Sequence, residues 1–128
     1  MRPTIFGDGT QTRDFTFVEN IVEANLRAAR TAMPPGSTLN IATGCRVSLN
    51  ELVYSINEIM GGQIEPIYEP ERTGDIKDSC ADITKSETLL GSYNFVPFRH
   101  GLERTTTFWR SREKPTSCGS VIGITSWC

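Results

Sequence analysis

The chain has 128 residues, 38% of them hydrophobic and 22% charged, which is typical of one soluble globular domain and disfavours disordered, collagen-like and coiled-coil classes. Its 13 basic and 15 acidic side chains give a net charge of -2, which argues against a general nucleic-acid binder. No apolar run reaches the roughly 18 residues of a membrane helix and no secretory segment opens the chain, so we expect a cytoplasmic protein that binds no membrane.

The N-terminal segment predicts a strand, a turn and a helix. Residues 4–6 form a short apolar run, a Gly-Asp-Gly turn sequence follows at 7–9, and extended backbone resumes at 13–17. Thr16 and Glu19 have the spacing of a capping box, which predicts a helix beginning at Thr16. Apolar side chains then recur at helical spacing until a Pro-Pro-Gly sequence ends the pattern: Val18, Ile21, Val22, Leu26, Ala29 and Met33.

A similar pattern predicts a second helix, with a strand on each side of it. Residues 39–42, L-N-I-A, form an apolar segment suited to a buried strand. Ser48 and Glu51 form a second capping box, and the apolar stripe that follows ends at a Gly-Gly pair. Residues 64–68 suit another strand, which Pro66 confines to an edge or a bulge because proline cannot donate to a ladder.

Two further helices complete the predicted fold. One begins near residues 82–84 and closes at a Leu-Leu-Gly sequence, and the other runs from about residue 99 to residue 112. The predicted fold class is α/β, a small mixed sheet of short strands with about four helices. We expect residues 1–112 to form one domain. Residues 115–128 are rich in Ser, Gly and Thr and almost uncharged, so we expect residues 113–128 to form an unrelated tail.

The cysteines and the histidine do not predict a metal or catalytic centre. The four cysteines are too scattered for a Cys-x-x-Cys metal site, and the single histidine, His100, has no partner placed by a motif. Without export signals we expect four reduced thiols, and the alternative is a pair between Cys118 and Cys128 in the tail. We expect His100 to be a solvated side chain rather than a general base.

Two arginines and an aspartate lie in loop settings that suit phosphate or ribose binding. Arg13 precedes the first helix, and Arg72 lies in the loop P-E-R-T-G-D that ends at Asp75. A guanidinium offers paired donors to phosphate oxygens, so the two arginines could clamp a diphosphate. Alternatively each arginine pairs with a neighbouring acid, Asp14 or Glu71, and spacing alone favours these ion pairs. Asp75 could accept from ribose hydroxyls or cap a turn, and composition does not separate the two.

Several ordered motifs resemble a known family. They are T-I-F-G-D-G-T-Q-T-R-D-F-T-F-V-E-N, then L-N-I-A-T-G with V-S-L-N-E-L, then E-R-T-G-D-I, A-D-I-T-K-S-E-T-L-L-G and G-L-E-R-T-T-T-F-W. In this order, from about Pro3 to Arg110, they are similar to the C-terminal portion of NAD-dependent nucleotide-sugar epimerases and dehydratases. These are the extended short-chain dehydrogenases, which include UDP-glucose 4-epimerase. The resemblance implies the fold of the C-terminal cap of such an enzyme, without its Rossmann half.

The resemblance also implies roles for individual residues. By motif match, Arg13 and Arg72 hold the diphosphate of the nucleotide sugar, and Asp75 meets the ribose hydroxyls. Backbone groups around Thr4 and Phe6 are expected to face the base. The resemblance therefore favours the diphosphate clamp over the surface ion pairs that spacing alone favours.

The family's cofactor and catalytic motifs do not occur in this sequence. There is no Gly-x-x-Gly-x-x-Gly turn of the kind that meets the cofactor pyrophosphate. Tyr54, Tyr68 and Tyr93 are followed four residues later by Glu, Arg and Pro, whereas the family's catalytic motif is Tyr-x-x-x-Lys. We therefore expect no catalysis by the chain alone, no bound metal, and no binding of the family cofactor NAD.

The expected function is weak binding of a nucleotide sugar by a catalytically inert, stand-alone or truncated cap. Ser79 borders the hexose by the same resemblance, where a small residue would leave room for an N-acetyl group; the alternative is an ordinary loop serine. A second hypothesis is a self-associating module, because apolar faces left without the Rossmann half favour homo-oligomers. A third is half of a split enzyme that acts in trans with a Rossmann-domain polypeptide, and a remnant without function is a further alternative.

Overall fold

The computed structural model describes residues 2–91 and 94–112, which form four helices and four short strands. The mixed α/β class with about four helices is confirmed. In chain order the elements are β1 (Thr4–Phe6), β2 (Thr12–Arg13), α1 (Val18–Ala28), β3 (Val47–Ser48), α2 (Leu49–Met60), β4 (Ile67–Glu69), α3 (Thr84–Leu90) and α4 (Phe98–Arg112).

The strands form two separate two-stranded ladders, one parallel and one antiparallel, rather than the single small mixed sheet that the sequence predicts. β1 pairs in parallel with β4, with Thr4 opposite Ile67, and β2 pairs antiparallel with β3, with Thr12 opposite Ser48. β4 begins directly after Pro66, so this proline lies outside the ladder, as its missing N–H requires. The predicted strand at 64–68 is therefore present, but it begins later than expected.

The predicted strand at residues 39–42 is wrong, because the structure assigns these residues to no ladder. Ala42 is nevertheless buried, so the apolar character of the segment reflects packing alone. Hydrogen bonds with α3 and with the residues just before it hold the segment instead of a neighbouring strand. Lys85 donates to the Thr38 carbonyl at 3.0 Å, and the Asn40 amide donates to the Asp82 carbonyl at 3.2 Å.

Helix α1 begins later and ends earlier than the sequence predicts. Its N-cap is Phe17, without a side-chain hydrogen bond, so the predicted capping box of Thr16 and Glu19 is wrong. Glu19 forms an ion pair with Arg104 of α4, and this tertiary contact replaces the local cap. The helix ends at Ala28 rather than near Met33, because its last turn tightens and the Arg30 N–H donates to the carbonyl three residues back.

The apolar stripe of α1 faces away from the described part of the chain. The buried side chains of the helix are Asn20 and Ala24, on the opposite face. Asn20 is satisfied there, because its amide both donates to and accepts from the backbone of Val96, at 3.1 and 2.8 Å. The stripe is exposed by 65% at Val18, 36% at Ile21, 51% at Val22 and 47% at Leu26.

Helix α2 agrees with its sequence signals. Ser48 accepts from the Glu51 N–H at 3.1 Å, and the Glu51 carboxylate accepts from the Ser48 N–H at 2.7 Å, so the second capping box is confirmed. The helix ends at Gly61, which adopts the left-handed conformation, φ 62°, that favours glycine. α2 packs against α4, where Arg110 donates to the Met60 carbonyl at 2.7 Å.

The remaining helices lie where they were predicted, and the fully buried core is small. α3 ends just before Gly91, and α4 begins within a residue of its predicted start. The buried hydrophobic residues of the described chain are Ile5, Ala24, Ala42 and Leu90. None of the described helices has the length and apolar character needed to cross a membrane.

The structure bears only in part on the predicted tail and on the predicted reduced cysteines. The predicted tail, with Cys118 and Cys128, lies outside the described residues. Cys45 and Cys80 are both exposed free thiols. Within residues 2–91 and 94–112, no cluster of three or more His, Cys, Asp or Glu side chains could hold a metal ion.

Candidate functional site

A small cleft lies where the parallel strands β1 and β4 end. Both strands end at the same edge of their ladder, and the Gly7 N–H extends the pairing by donating to the Glu69 carbonyl at 2.8 Å. The loop after β1 and the segment after β4 therefore lie side by side. The cleft between them has a volume of about 60 Å³ and is lined by Phe6, Gly7, Asp8, Thr10, Gln11, Glu71, Arg72, Asp75, Ile76 and Lys77.

Arg72 stacks on the ring of Phe6 within this cleft. The guanidinium carbon lies 3.5 Å from the ring centroid, which is a cation–π contact. Among the ion pairs of the described residues, none joins Arg72 to Glu71, so the predicted alternative pairing of neighbours is absent there. Stacking occupies the flat face of the guanidinium and leaves its N–H groups, which lie in the plane, directed around the edge.

Arg13 pairs with Asp75 rather than with its neighbour Asp14. Its guanidinium donates to Asp75 Oδ1 at 3.2 Å and to the Thr12 carbonyl at 2.7 Å. The side chains of the pair are 31% and 46% exposed, so solvent screens the interaction. The structure therefore joins two of the residues proposed from the sequence across 62 positions of the chain.

Asp14 is engaged elsewhere, which explains why it does not pair with Arg13. Its Oδ1 accepts from the N–H and the hydroxyl of Thr43, at 3.0 and 2.6 Å, and its Oδ2 accepts from the Gly44 N–H at 2.9 Å. The carboxylate therefore holds the 43–44 turn against the residues that follow β2. Asp14 is a structural residue that fixes the segment from which Arg13 projects.

The structure gathers four of the six candidate residues around the cleft. Arg72, Asp75 and Phe6 line it, and Arg13 contacts Asp75 from one side. Arg72 and Asp75 also share a turn, because the Asp75 N–H donates to the Arg72 carbonyl at 3.1 Å and Gly74 between them has φ +86°. Because the bond joins residues three apart, this turn keeps Arg72 and Asp75 close through local contacts alone.

The other two candidates lie outside the cleft lining. Thr4 borders a separate cavity of about 480 Å³ with Arg2, Pro3, Val53, Ile56 and Ile64. Ser79 is exposed, and its N–H donates to the Thr12 carbonyl at 3.2 Å, next to a bridge between Thr12 and Asp78. The backbone of Ser79 is thus bonded to the strand that carries Arg13.

Sequence reasoning predicted the turn at residues 7–9 but not that this loop forms one wall of the cleft. Asp8 accepts from the N–H and the hydroxyl of Thr10, at 2.9 and 2.6 Å, and these bonds hold the pKa of Asp8 below its ordinary value. Gln11 donates to the Phe6 carbonyl at 2.6 Å. The D-G-T spacing, which is typical of an Asx turn, was the available signal for this loop. Lys77, on the opposite wall, was also missed.

The first turn of α2 donates backbone hydrogen bonds to this loop. The first N–H groups of a helix have no partner inside it. Here the Leu49 N–H donates to the Gln11 carbonyl at 3.2 Å, and the Asn50 N–H donates to the Gly9 carbonyl at 3.1 Å. With the Glu51 N–H bonded to Ser48, all three N–H groups at the start of α2 are satisfied.

A larger apolar cavity lies away from the cleft, between α4 and the segment before α1. It has a volume of about 620 Å³ and is lined mainly by aromatic and aliphatic side chains, among them Phe15, Phe17, Leu52, Phe98 and Leu102. Phe15 and Phe98 contact each other with ring centroids 5.7 Å apart. His100 is exposed on α4 and lines neither this cavity nor the cleft.

Comparisons with known proteins agree with this architecture. Residues 2–42 match the model of the NAD dependent epimerase/dehydratase family. The UDP-glucose 4-epimerase of Mycolicibacterium smegmatis is 36% identical over 110 residues, which are 86% of this chain and 35% of that protein. A putative UDP-glucose 4-epimerase of Methanocaldococcus jannaschii is 35% identical over 88% of this chain and 35% of its own length.

Solved structures give the same result. The UDP-glucose 4-epimerase of Thermotoga maritima, crystallised with UDP-glucose, superposes with a TM-score of 0.80 at 35% identity and covers 88% of this chain and 36% of its own. A UDP-N-acetylglucosamine 4-epimerase of Methanobrevibacter ruminantium, in complex with UDP-N-acetylmuramic acid, superposes with a TM-score of 0.78 at 33% identity. The matched region is 87% of this chain and 35% of that one.

The described fold therefore matches about a third of these larger epimerase structures. The chain corresponds to part of a protein of the NAD-dependent epimerase/dehydratase family, and the resemblance seen in the sequence is confirmed. It spans about a third of the length of the curated relatives it matches.

The described residues do not fit the way in which this family's motif holds NAD. That motif places a glycine-rich turn at a helix N-terminus, so that the backbone can approach the pyrophosphate. The N-cap residues of α1, α2 and α3 are Phe17, Ser48 and Ile83, and none of these helices follows a glycine-rich turn.

Proposed function

We propose that the chain binds the nucleotide diphosphate part of a nucleotide sugar, of the UDP-sugar type, in the cleft between the β1–β2 loop and the segment after β4. The observation that carries the proposal is the convergence of Arg13, Arg72 and Asp75 on this cleft from distant parts of the sequence. Relatives that match this chain were solved with UDP-glucose and with UDP-N-acetylmuramic acid, which supports the choice of ligand class.

The chemistry of the three side chains suits a diphosphate and a ribose. Arg13 leaves a solvent-screened ion pair when it turns to phosphate, and such pairs are worth about 0.2–1 kcal/mol. A charge-assisted hydrogen bond to an anion is worth roughly 1.5–3 kcal/mol, so the exchange favours binding. Arg72 is already held by its stack on Phe6 with its N–H edge available. Asp75, freed from Arg13, then accepts from the vicinal hydroxyls of the ribose.

The base and the hexose complete the proposed ligand. Backbone groups of β1 at Thr4 and Phe6 would face the base, although Thr4 also borders a separate cavity. Ser79 would border the hexose, since its N–H is bonded to the strand that carries Arg13. Its small side chain would leave room for an N-acetyl group.

We propose that the chain alone does not catalyse epimerisation or dehydration. A tyrosine that exchanges a proton with a sugar needs a neighbouring cation that lowers its pKa. The Tyr54 hydroxyl instead donates to Glu58 at 3.1 Å, and this contact raises its pKa. The Tyr68 hydroxyl donates to Asn50 at 2.9 Å, so it too is bonded away from the cleft.

Calorimetric titration of UDP into the full chain tests the proposal. We expect weak binding, with Kd about 1 mM, which corresponds to roughly 4 kcal/mol. The Arg13→Ala, Arg72→Ala double variant should abolish the heat. The matched control is Arg30→Ala, Arg46→Ala, which removes the same charge from exposed positions outside the cleft lining and should bind as the unchanged chain does. No heat at high UDP, or equal effects of the two double variants, would overturn the proposal.

A second candidate function is self-association through the apolar stripe of α1. The observation that favours it is the exposure of Val22 and Leu26 by 51% and 47%, on a helix face that the described residues leave uncovered. We propose that a second copy of the chain covers this face in the cytoplasm. A Rossmann-domain polypeptide acting in trans is the alternative occupant. Contiguous apolar surface of this kind drives association in water.

Sedimentation velocity between 1 and 100 µM, as an order-of-magnitude range, tests self-association. The chain should sediment as a dimer or larger species, and Val22→Asp with Leu26→Asp should shift it to the monomer. Asn25→Asp, an exposed change of charge on the same helix, is the matched control and should leave the assembly unchanged. A stable monomer of the unchanged chain over the whole range would refute self-association.

A further inference from the structure

We propose that Asn50, at the start of α2, is a positioning residue that holds the 7–10 loop in its ligand-binding shape. The inference rests on the proposed function, because this loop forms one wall of the proposed nucleotide-sugar cleft. Asn50 does not itself line the cleft. It acts through the backbone of the loop.

Asn50 contacts the loop at two points and a strand at a third. Its backbone N–H donates to the Gly9 carbonyl at 3.1 Å, and its side-chain amide donates to the Asp8 carbonyl at 3.1 Å. The amide oxygen accepts from the Tyr68 hydroxyl at 2.9 Å. The tyrosine lies on β4, and its hydroxyl fixes the orientation of the amide. A neutral amide is the group that can both donate to a carbonyl and accept from a hydroxyl here.

The loop lies directly against this amide, with no space between them. Gly9 is buried and has φ +77°, a left-handed conformation that favours glycine. A Cβ at Gly9 would lie 2.0 Å from Asn50 Oδ1, which no real contact allows. With any other residue at this position the Asn50 amide would have to move and would lose its contacts with the loop and with Tyr68.

The contacts reach the ligand through the residues on either side of Gly9. Asp8 and Thr10 line the cleft opposite Arg72 and Asp75, and they are bonded to each other. With the loop fixed on α2, the wall is in place before a ligand arrives, and binding does not have to order it. Without the amide, the Asp8 carbonyl loses its donor and the loop gains freedom that a ligand must then remove.

Asn57 provides a matched comparison on the same helix. Its amide also donates to a backbone carbonyl and accepts from a backbone N–H, both of Ile64, at 3.0 and 2.7 Å. It lies near the opposite end of α2 and does not line the cleft. Replacing either asparagine by alanine therefore removes similar hydrogen bonds from one helix, but only Asn50→Ala removes them from the site.

The test combines amide hydrogen exchange with UDP titration of the full chain. Asn50→Ala should speed exchange at residues 7–10 about tenfold and weaken UDP binding about three- to tenfold, the range expected for a lost hydrogen bond. Asn57→Ala should leave both unchanged. Asn50→Asp keeps the acceptor for Tyr68 but loses the donor to Asp8, so its affinity should fall as in Asn50→Ala.

The possible failures can be told apart. Unchanged exchange at residues 7–10 in Asn50→Ala would overturn the positioning of the loop, whether or not UDP binds. Faster exchange with unchanged UDP affinity would overturn its importance for the ligand and leave the proposed function intact. Absence of UDP binding by the unchanged chain would overturn the proposed function, and with it the ligand-binding part of the inference.

Discussion

Gly101 of α4 is the position at which a single methyl group tests the packing of the fold most directly. It is buried, and its N–H donates to the Pro97 carbonyl at 2.9 Å in the first turn of the helix. A Cβ at this position would lie 2.8 Å from Phe17 Cβ and 2.9 Å from Phe17 Cγ. Both distances are below any that real Cβ atoms adopt, so either the helix or Phe17 must move.

The magnitude follows from two opposing contributions. Alanine is favoured over glycine in a helix interior by about 0.5–1 kcal/mol, which stabilises the Gly101→Ala variant. Overpacking of a close contact costs about 1–3 kcal/mol. The upper part of that range applies here, because Phe17 Cβ is attached directly to the N-cap backbone of α1 and cannot rotate away. We therefore expect a net loss of about 1–2 kcal/mol in the free energy of unfolding.

Equilibrium urea unfolding followed by far-ultraviolet circular dichroism measures this loss. Gly62→Ala is the matched control, since Gly62 is exposed, its added Cβ would meet nothing within 4 Å, and its φ is not left-handed. The control should change the free energy of unfolding by less than about 0.5 kcal/mol. If Gly101→Ala proves as stable as the unchanged chain, the close packing of α4 on Phe17 is wrong.

Two further predictions concern carboxylates that hold backbone groups. Asp14→Ala leaves the N–H groups of Thr43 and Gly44 without their acceptor and should lower the free energy of unfolding in urea by about 1–3 kcal/mol. Asp14→Asn should recover part of this loss. Equal stability of all three chains would contradict the role of Asp14. The Ser48 N–H and hydroxyl hold the pKa of Glu51 below its ordinary value of 4.5. This carboxylate therefore stabilises the folded chain above pH 4.5, and the stabilisation disappears as the pH falls through the lower folded-state pKa. The urea midpoint should therefore decrease below about pH 4.5, and less steeply in Glu51→Gln; identical pH profiles would refute the contribution.

The elements predicted correctly are those whose signals are local. The capping box of α2 involves residues three apart, and Gly61 ends the helix by its own conformation. The start and end of α2 are therefore fixed by a few neighbouring residues, without help from the rest of the fold. β1 also has its predicted bounds, although its partner β4 is distant in the sequence. The loop predicted around Arg72 contains a local turn, in which the Asp75 N–H donates to the Arg72 carbonyl.

The elements predicted wrongly are those decided by distant contacts. The cap expected at Thr16 fails because Glu19 pairs with Arg104, which lies in another helix. Periodicity identified the apolar stripe of α1 but could not show that Asn20 would be buried on the opposite face. A buried asparagine is tolerated only because the Val96 backbone satisfies it, and that contact spans 76 residues.

The candidate site also combines local contacts, which the sequence predicts, with long-range contacts, which it does not. Arg72 and Asp75 belong to one turn, so their proximity follows from the sequence, whereas Arg13 reaches Asp75 only after β2 has aligned with the segment after β4. Spacing alone favoured the pairing of Arg13 with Asp14. In the structure Arg13 pairs with Asp75 instead. The Asp14 carboxylate already accepts three hydrogen bonds, from the hydroxyl and N–H of Thr43 and from the N–H of Gly44.

The cleft takes its rigidity from a helix rather than from its strands. Strands of two or three residues are too short to be stable alone, and those next to the cleft belong to two-stranded ladders. α2 has a complete cap at its start, and its first N–H groups bond the loop that forms the wall. Arg13 contributes little to this framework, since solvent screens its ion pair with Asp75. Arg72 contributes a cation–π contact with Phe6 at an exposed position, which is worth about 0.5–1 kcal/mol. Replacing Arg13 or Arg72 should therefore change ligand binding with little change in stability, whereas damage to the start of α2 should change both.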